Sequence, residues 1–181
     1  GMTALRASEI FPRIPYYILG TEQIGEFRVR PGITDEGYLR YEVNFMDPEA
    51  AYGTVVESIG MSSENVSLVI SGLEKVNEWT EVAQQNNIRK RFAKRATCFP
   101  EPDCAEIKVG NSSTEVVFLT YEDGSTAGQL KRNKGPASTG YNLSHESGML
   151  LAAYLEYMID LGEKEFNAAT MTESDLNDMF K

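Results

Sequence analysis

Ser147-Gly148-Met149-Leu150-Leu151-Ala152-Ala153-Tyr154-Leu155-Glu156-Tyr157-Met158-Ile159-Asp160-Leu161-Gly162 is the most apolar stretch of the chain, and its reading decides the fold. Only Glu156 and Asp160 interrupt it. On a helix these two form one narrow acidic stripe, with Leu151, Leu155, Met158 and Ile159 on one side and Leu150, Tyr154, Tyr157 and Leu161 on another. So little polar surface predicts a helix buried on more than one face, a core element that is also a candidate contact with a second subunit. Ser144 is placed to cap it and Gly162 to end it.

Outward from this helix, the chain alternates. Leu39, Tyr41, Val43 and Phe45 point one way and Tyr38, Arg40, Glu42 and Asn44 the other, which predicts a half-buried strand. Glu26–Arg30, Gly53–Ile59, Val66–Ile70, Ala105–Val109 and Glu115–Tyr121 also read as strands, and Ile14–Gly20 reads as a strand start or edge because of Pro15. Asp123-Gly124 signals a hairpin into Ser125–Arg132, and Asn133–Gly140 reads as a loop. Asp47-Pro48-Glu49 suits either a short helix cap or a hairpin loop. Ser71 with Glu74 has capping-box spacing and opens a second helix, with Leu73, Val76, Trp79, Val82 and Ala83 inward. Beyond Asn86-Asn87, Ile88 and Phe92 suggest a helical extension. Thr170 with Glu173 has the same spacing before a short docking helix carrying Leu176, Met179 and Phe180.

The expected class is α+β, with antiparallel sheets and two main helices. An offset of 76 residues lays Ser71-Gly72-Leu73 on Ser147-Gly148-Met149 and Tyr41, Val43, Phe45 and Asp47 on Val117, Leu119, Tyr121 and Asp123. Any two amphipathic helices can be overlaid this way, so coincidence stands beside a pseudo-two-fold repeat of strand meander plus helix. The organisation is one domain over residues 2–181, with candidate half-repeats 14–97 and 98–163 and an acidic tail over 164–181. A genuine repeat predicts two sheets, each covered on one face by its own helix.

A chain of 181 residues can bury one sizeable core, and its longest apolar run is too short to span a bilayer. The expectation is a soluble cytoplasmic protein with no membrane contact. Cys98 and Cys104 bracket the turn-prone Phe99-Pro100-Glu101-Pro102-Asp103. A reducing compartment favours free thiols over a disulfide. One histidine and two cysteines make no zinc set, so neither a metal nor an organic cofactor is expected.

The net charge of −10 argues against a polyanionic partner until its distribution is considered. Five of the 17 basic residues are Arg89, Lys90, Arg91, Lys94 and Arg95, and three more are Lys131, Arg132 and Lys134. From Glu146 onward there are eight acidic residues and two basic ones. Arg28, Arg30, Tyr38, Arg40 and Lys108 join the two clusters as outward residues that could track phosphates and stack on bases. Against this stands a solvated face on which Glu26, Glu42 and Glu106 pair with those cations. His145 is read as a surface histidine rather than a catalytic one, Glu156 and Asp160 as a solvent stripe rather than an acid–base pair, and Trp79 as a core anchor. No nucleophile–base set is legible.

In element order over roughly residues 14–163, a strand meander followed by a helix, used twice, resembles the Whirly and Pur-repeat single-stranded nucleic-acid binders. No family motif accompanies the order. The resemblance implies that an open sheet face and its loops hold the strand. The reading is therefore a non-enzymatic binding protein for single-stranded nucleic acid. The alternative is an acidic interaction or scaffold module that forms a homodimer through helix 147–162.

Overall fold

The computed structural model describes residues 1–18, 24–47, 54–100, 104 and 112–181. Strands β1 (Met2–Ala4), β2 (Ile14–Ile18), β3 (Ile24–Thr34), β4 (Leu39–Asp47) and β5 (Thr54–Met61) precede helix α1 (Ser63–Gln85). Strands β6 (Phe92–Phe99), β7 (Ser112–Thr120), β8 (Thr126–Lys134) and β9 (Ala137–Leu143) follow. Helices α2 (His145–Thr170) and α3 (Glu173–Met179) end the described chain. The class is α+β, with antiparallel strand pairing throughout.

The strands form one nine-stranded sheet in the order β5-β4-β3-β2-β9-β8-β7-β6, with β1 on the free part of β3. Two separate sheets were the corollary of a repeat. Instead β2 and β9 join the two meanders through Tyr17 opposite Asn142 and Ile18 opposite Tyr141. Pro15 is the second residue of β2, as expected at a strand start, and there β2 pairs only with β3; β9 joins beyond it, at Tyr17 and Ile18, so no ladder bond is lost to the missing proline N–H. The offset of 76 residues lays β4 on β7, the third strand of one main meander on the second of the other, so it does not align equivalent elements.

Alternation puts Phe27, Phe45, Tyr16 and Tyr141 on the concave face, where the rings of Phe45 and Tyr141 stand 4.0 Å apart. The sheet curls enough for Glu57 on β5 to reach β8 and β9. It ion-pairs with Arg132 at 3.1 Å and Lys134 at 2.9 Å, and accepts the Tyr141 hydroxyl proton at 2.6 Å. Burial alone would raise the Glu57 pKa, but Tyr141, Lys134 and Arg132 together hold it below its ordinary 4.5.

Each long helix covers the strands of the other meander. Helix α1 follows β5 but packs on β6 and β7, where the Thr97 hydroxyl donates to the Leu68 carbonyl at 2.7 Å. Helix α2 follows β9 but packs on β2 and β3, and the two helices also touch. Val66–Ile70 is therefore helix, not strand. Val66, Val69, Leu73 and Val76 recur at helical spacing and are all buried, which outweighs the β propensity of a short Val/Ile run. The cap is Ser62, whose hydroxyl accepts the Asn65 N–H, rather than Ser71.

Helix α2 does not stop at Gly162, which is buried against the Tyr41 hydroxyl within a continuous helix to Thr170. Its cap at Ser144 is as expected. The last capping box joins Thr172 and Asp175 rather than Thr170 and Glu173. Helix α3 buries none of its residues. Residues 133–140 form a hairpin around Gly135 (φ 57°), not a loop. Cys98 and Cys104 are disulfide-bonded, with Cα atoms 5.8 Å apart; the expectation of free thiols gave way because the chain brings both buried sulfurs together. The expected strand Ala105–Val109, Lys108 within it, and the Pro48-Glu49 turn lie outside the described residues. Among the described residues, no helix is long and apolar enough to cross a membrane.

Candidate ligand-binding groove

The basic segment 89–95 is not a helical extension, because α1 ends in a Schellman cap. The Ile88 N–H bonds the Ala83 carbonyl at 3.0 Å and the Asn87 N–H bonds the Gln84 carbonyl at 3.2 Å, with Asn87 left-handed at φ 49°. Asparagine tolerates that conformation, so Asn86-Asn87 is the signal that stops the helix. The chain then returns along the sheet edge as β6, pairing Phe92 with Thr120.

Strand alternation splits the cluster. Phe92 and Lys94 face α1, and the Lys94 Nζ stands 5.2 Å from the centre of the Trp79 ring. Arg95 faces the other way and bonds Glu115 at 2.7 Å. Between the last turns of α1 and strands β6 and β7 lies a groove of about 470 Å³, floored by Trp79, Val82, Ala83, Ile88, Phe92 and Phe118 and rimmed by Lys90, Arg91 and Lys94. Trp79 meets Phe118 edge-on at 5.9 Å, so it is both an anchor and a wall of the groove. Phe92 is 51% exposed. The Thr120 hydroxyl fixes the returning chain by donating to the Lys90 carbonyl at 2.6 Å. Arg89 braces the far side through the Asp123 carbonyl at 3.1 Å. Such a site offers an apolar, aromatic floor with cationic ends, which suits a ligand with flat or apolar parts and negative charge.

The other candidate residues are not gathered here. Arg30 pairs with Glu42 at 3.5 Å, and Arg28 donates to the Ser8 carbonyl at 3.1 Å. Tyr38 is exposed at the β3–β4 hairpin, and Arg40 lies over Gly60. Lys131 and Asn133 turn to Glu115, at 3.9 and 2.8 Å, while Arg132 and Lys134 turn to Glu57. Burial would raise the Glu115 pKa, but Asn133, Arg95 and Lys131 hold it low. In sheet order, β3 and β4 are separated from β6 by β2, β9, β8 and β7. By contrast, Lys90, Arg91 and Lys94 have no ion pair among the described residues.

His145, Glu156 and Asp160 are exposed on α2. Among the described residues, no group of three or more potential ligands could hold a metal. No family model matches the chain, and neither does a curated protein or a solved structure. The functional reading therefore rests on the groove itself. The sequence had marked the cations of segment 89–95 but not their partners Trp79 and Phe92. The overlooked signal was Asn86-Asn87 read as a helix stop, which turns Phe92 and Lys94 back to face α1.

Proposed function

We propose that this protein is a non-enzymatic binding protein that holds single-stranded nucleic acid at the groove between α1 and β6. The observation that supports this reading is the juxtaposition of three cations without ion pairs among the described residues, Lys90, Arg91 and Lys94, with the exposed ring of Phe92 and the partly buried ring of Trp79. Cations neutralise phosphates, and an aromatic face accepts any base, so the pair of features favours an unpaired strand over a duplex. The ion-paired residues Arg30, Arg95, Lys131, Arg132 and Lys134 then serve the fold, and the contact is smaller than a whole basic sheet face.

The test is fluorescence anisotropy of a labelled single-stranded oligonucleotide at several salt concentrations, with a duplex and an acidic polypeptide as controls. Three neutralised phosphates give a log–log salt slope of about −2. Absence of binding at low salt, or equal binding of the acidic polypeptide, overturns the reading.

A second reading is favoured by one observation. Met149, Leu150 and Tyr157 are exposed along α2, about half of each surface open to solvent, so a homodimer through helix 147–162 would cover them.

A further inference from the structure

Helix α3 is amphipathic and its apolar face is uncovered. Leu176, Met179 and Phe180 fall at helical spacing and are all exposed, Phe180 at 80%. Around them stand Glu173, Asp175 and Asp178, with Lys181 as the one cation in the segment, paired to Asp178 at 3.1 Å. Asp175 also closes the capping box with Thr172, which holds the helix in shape although none of its residues is buried. An exposed apolar face bounded by acids is the chemical complement of the groove, an apolar floor bounded by Lys90, Arg91 and Lys94.

The tail cannot fill the groove of its own chain. Helix α2 runs antiparallel to α1: Gly148 lies beside Asn77, whereas Glu156, Ile159 and Asp160 lie beside Ser67, Ile70 and Glu74. The groove is at the other end of α1, beyond Asn77. From Gly148 to Thr170 the rise of α2 carries the chain about 33 Å away from that end. Only Met171 and Thr172 separate α2 from α3, and the seven residues of α3 span about 10 Å. A return would require α2 to unwind.

We infer that the groove receives helix α3 of a second copy of this chain, with Phe180 and Leu176 on the aromatic floor and Glu173 and Asp178 against the lysines. The inference stands on the groove and the tail, not on nucleic acid. It does give the proposed ligand a competitor for the same site. Because the donor and acceptor surfaces differ, the contact is head-to-tail, and it closes into a dimer when two copies exchange tails.

The test uses the full chain and two surface variants. Lys90→Glu/Lys94→Glu disables the groove and keeps the tail, and Leu176→Ser/Phe180→Ser does the reverse. Circular dichroism checks that each is folded. In sedimentation velocity the unaltered chain should self-associate as concentration rises. Each variant alone should be weaker by tenfold or more. An equimolar mixture should regain a one-to-one dimer, since it contains one intact tail and one intact groove. A monomeric unaltered chain overturns the inference, as does association that survives both pairs of substitutions and so lies elsewhere, for example on the Met149, Leu150 and Tyr157 stripe. Oligonucleotide binding separates this from the proposed function. The Leu176→Ser/Phe180→Ser variant should bind at least as tightly as the unaltered chain. Loss of oligonucleotide binding throughout would remove the nucleic-acid reading while leaving the sedimentation result intact.

Discussion

The hydroxyl of Tyr154 takes the place of a strand beside Val29. It accepts the Val29 N–H at 3.1 Å and donates its own proton to the Ile10 carbonyl at 2.8 Å. β2 pairs β3 from Ile24 to Phe27 and β1 pairs it from Gly32 to Thr34, so Val29 lies in the gap between them. Tyr154→Phe leaves a buried N–H unsatisfied and should cost about 2 kcal/mol. For a chain of this size that is a fall in Tm of about 4–8 °C, read by calorimetry.

Glu57 makes the acid limb of stability. Its pKa is depressed in the folded protein, so its contribution is fully present above its ordinary 4.5 and is lost as pH falls below that value through the folded pKa. Glu115 is depressed as well and contributes to the same limb. Glu57→Gln strands the Arg132 guanidinium, which is largely buried, and should cost about 3 kcal/mol near neutral pH. The variant should also lose stability less steeply below pH 4.5, as measured by urea unfolding at stepped pH.

In the groove, Phe92 and Lys94 should separate stacking from charge. Phe92→Ser should weaken oligonucleotide binding about tenfold at every salt concentration, the worth of one base stack. Lys94→Ala should instead flatten the salt slope by about 0.7. Both side chains are exposed, so unfolding midpoints should stay within about 0.5 kcal/mol of the unaltered chain.

Two glycines of α2 should respond to alanine with opposite signs. At Gly148 the nearest neighbour of an added Cβ is Asn77 at 3.8 Å, so only the helix propensity changes and Gly148→Ala should stabilise by about 0.8 kcal/mol. At Gly162 the same atom would sit 2.8 Å from the buried Tyr41 hydroxyl, which donates to the Ile159 carbonyl at 3.1 Å. Overpacking there outweighs the propensity gain, and Gly162→Ala should destabilise by about 1 kcal/mol. Denaturant midpoints measured side by side decide both.

By itself, the sequence determined what depends on neighbours along the chain. Alternation over Leu39–Asp47 set the buried face of β4, Asp123-Gly124 set the β7–β8 hairpin, and Ser144 set the start of α2. These are local because side-chain direction repeats every two or every 3.6 residues. Val66–Ile70 reads as a strand from sequence because a short Val/Ile run fits either period, and only its burial with Leu73 and Val76 selects the helix. Partnership across the fold was decided by tertiary structure alone. The β2–β9 seam, the crossing of α1 and α2 onto each other's strands, and the choice of Glu57 for Arg132 and Lys134 all join residues distant in sequence. The same holds for the basic cluster: the sequence places five cations from Arg89 to Arg95, but the pairing of β6 with β7 and the packing of α1 left Arg95 on Glu115 and Lys94 on Trp79. A charge acquires its role from what faces it after folding, and that contact belongs to the packed chain, because burial gathers surfaces without regard to sequence separation.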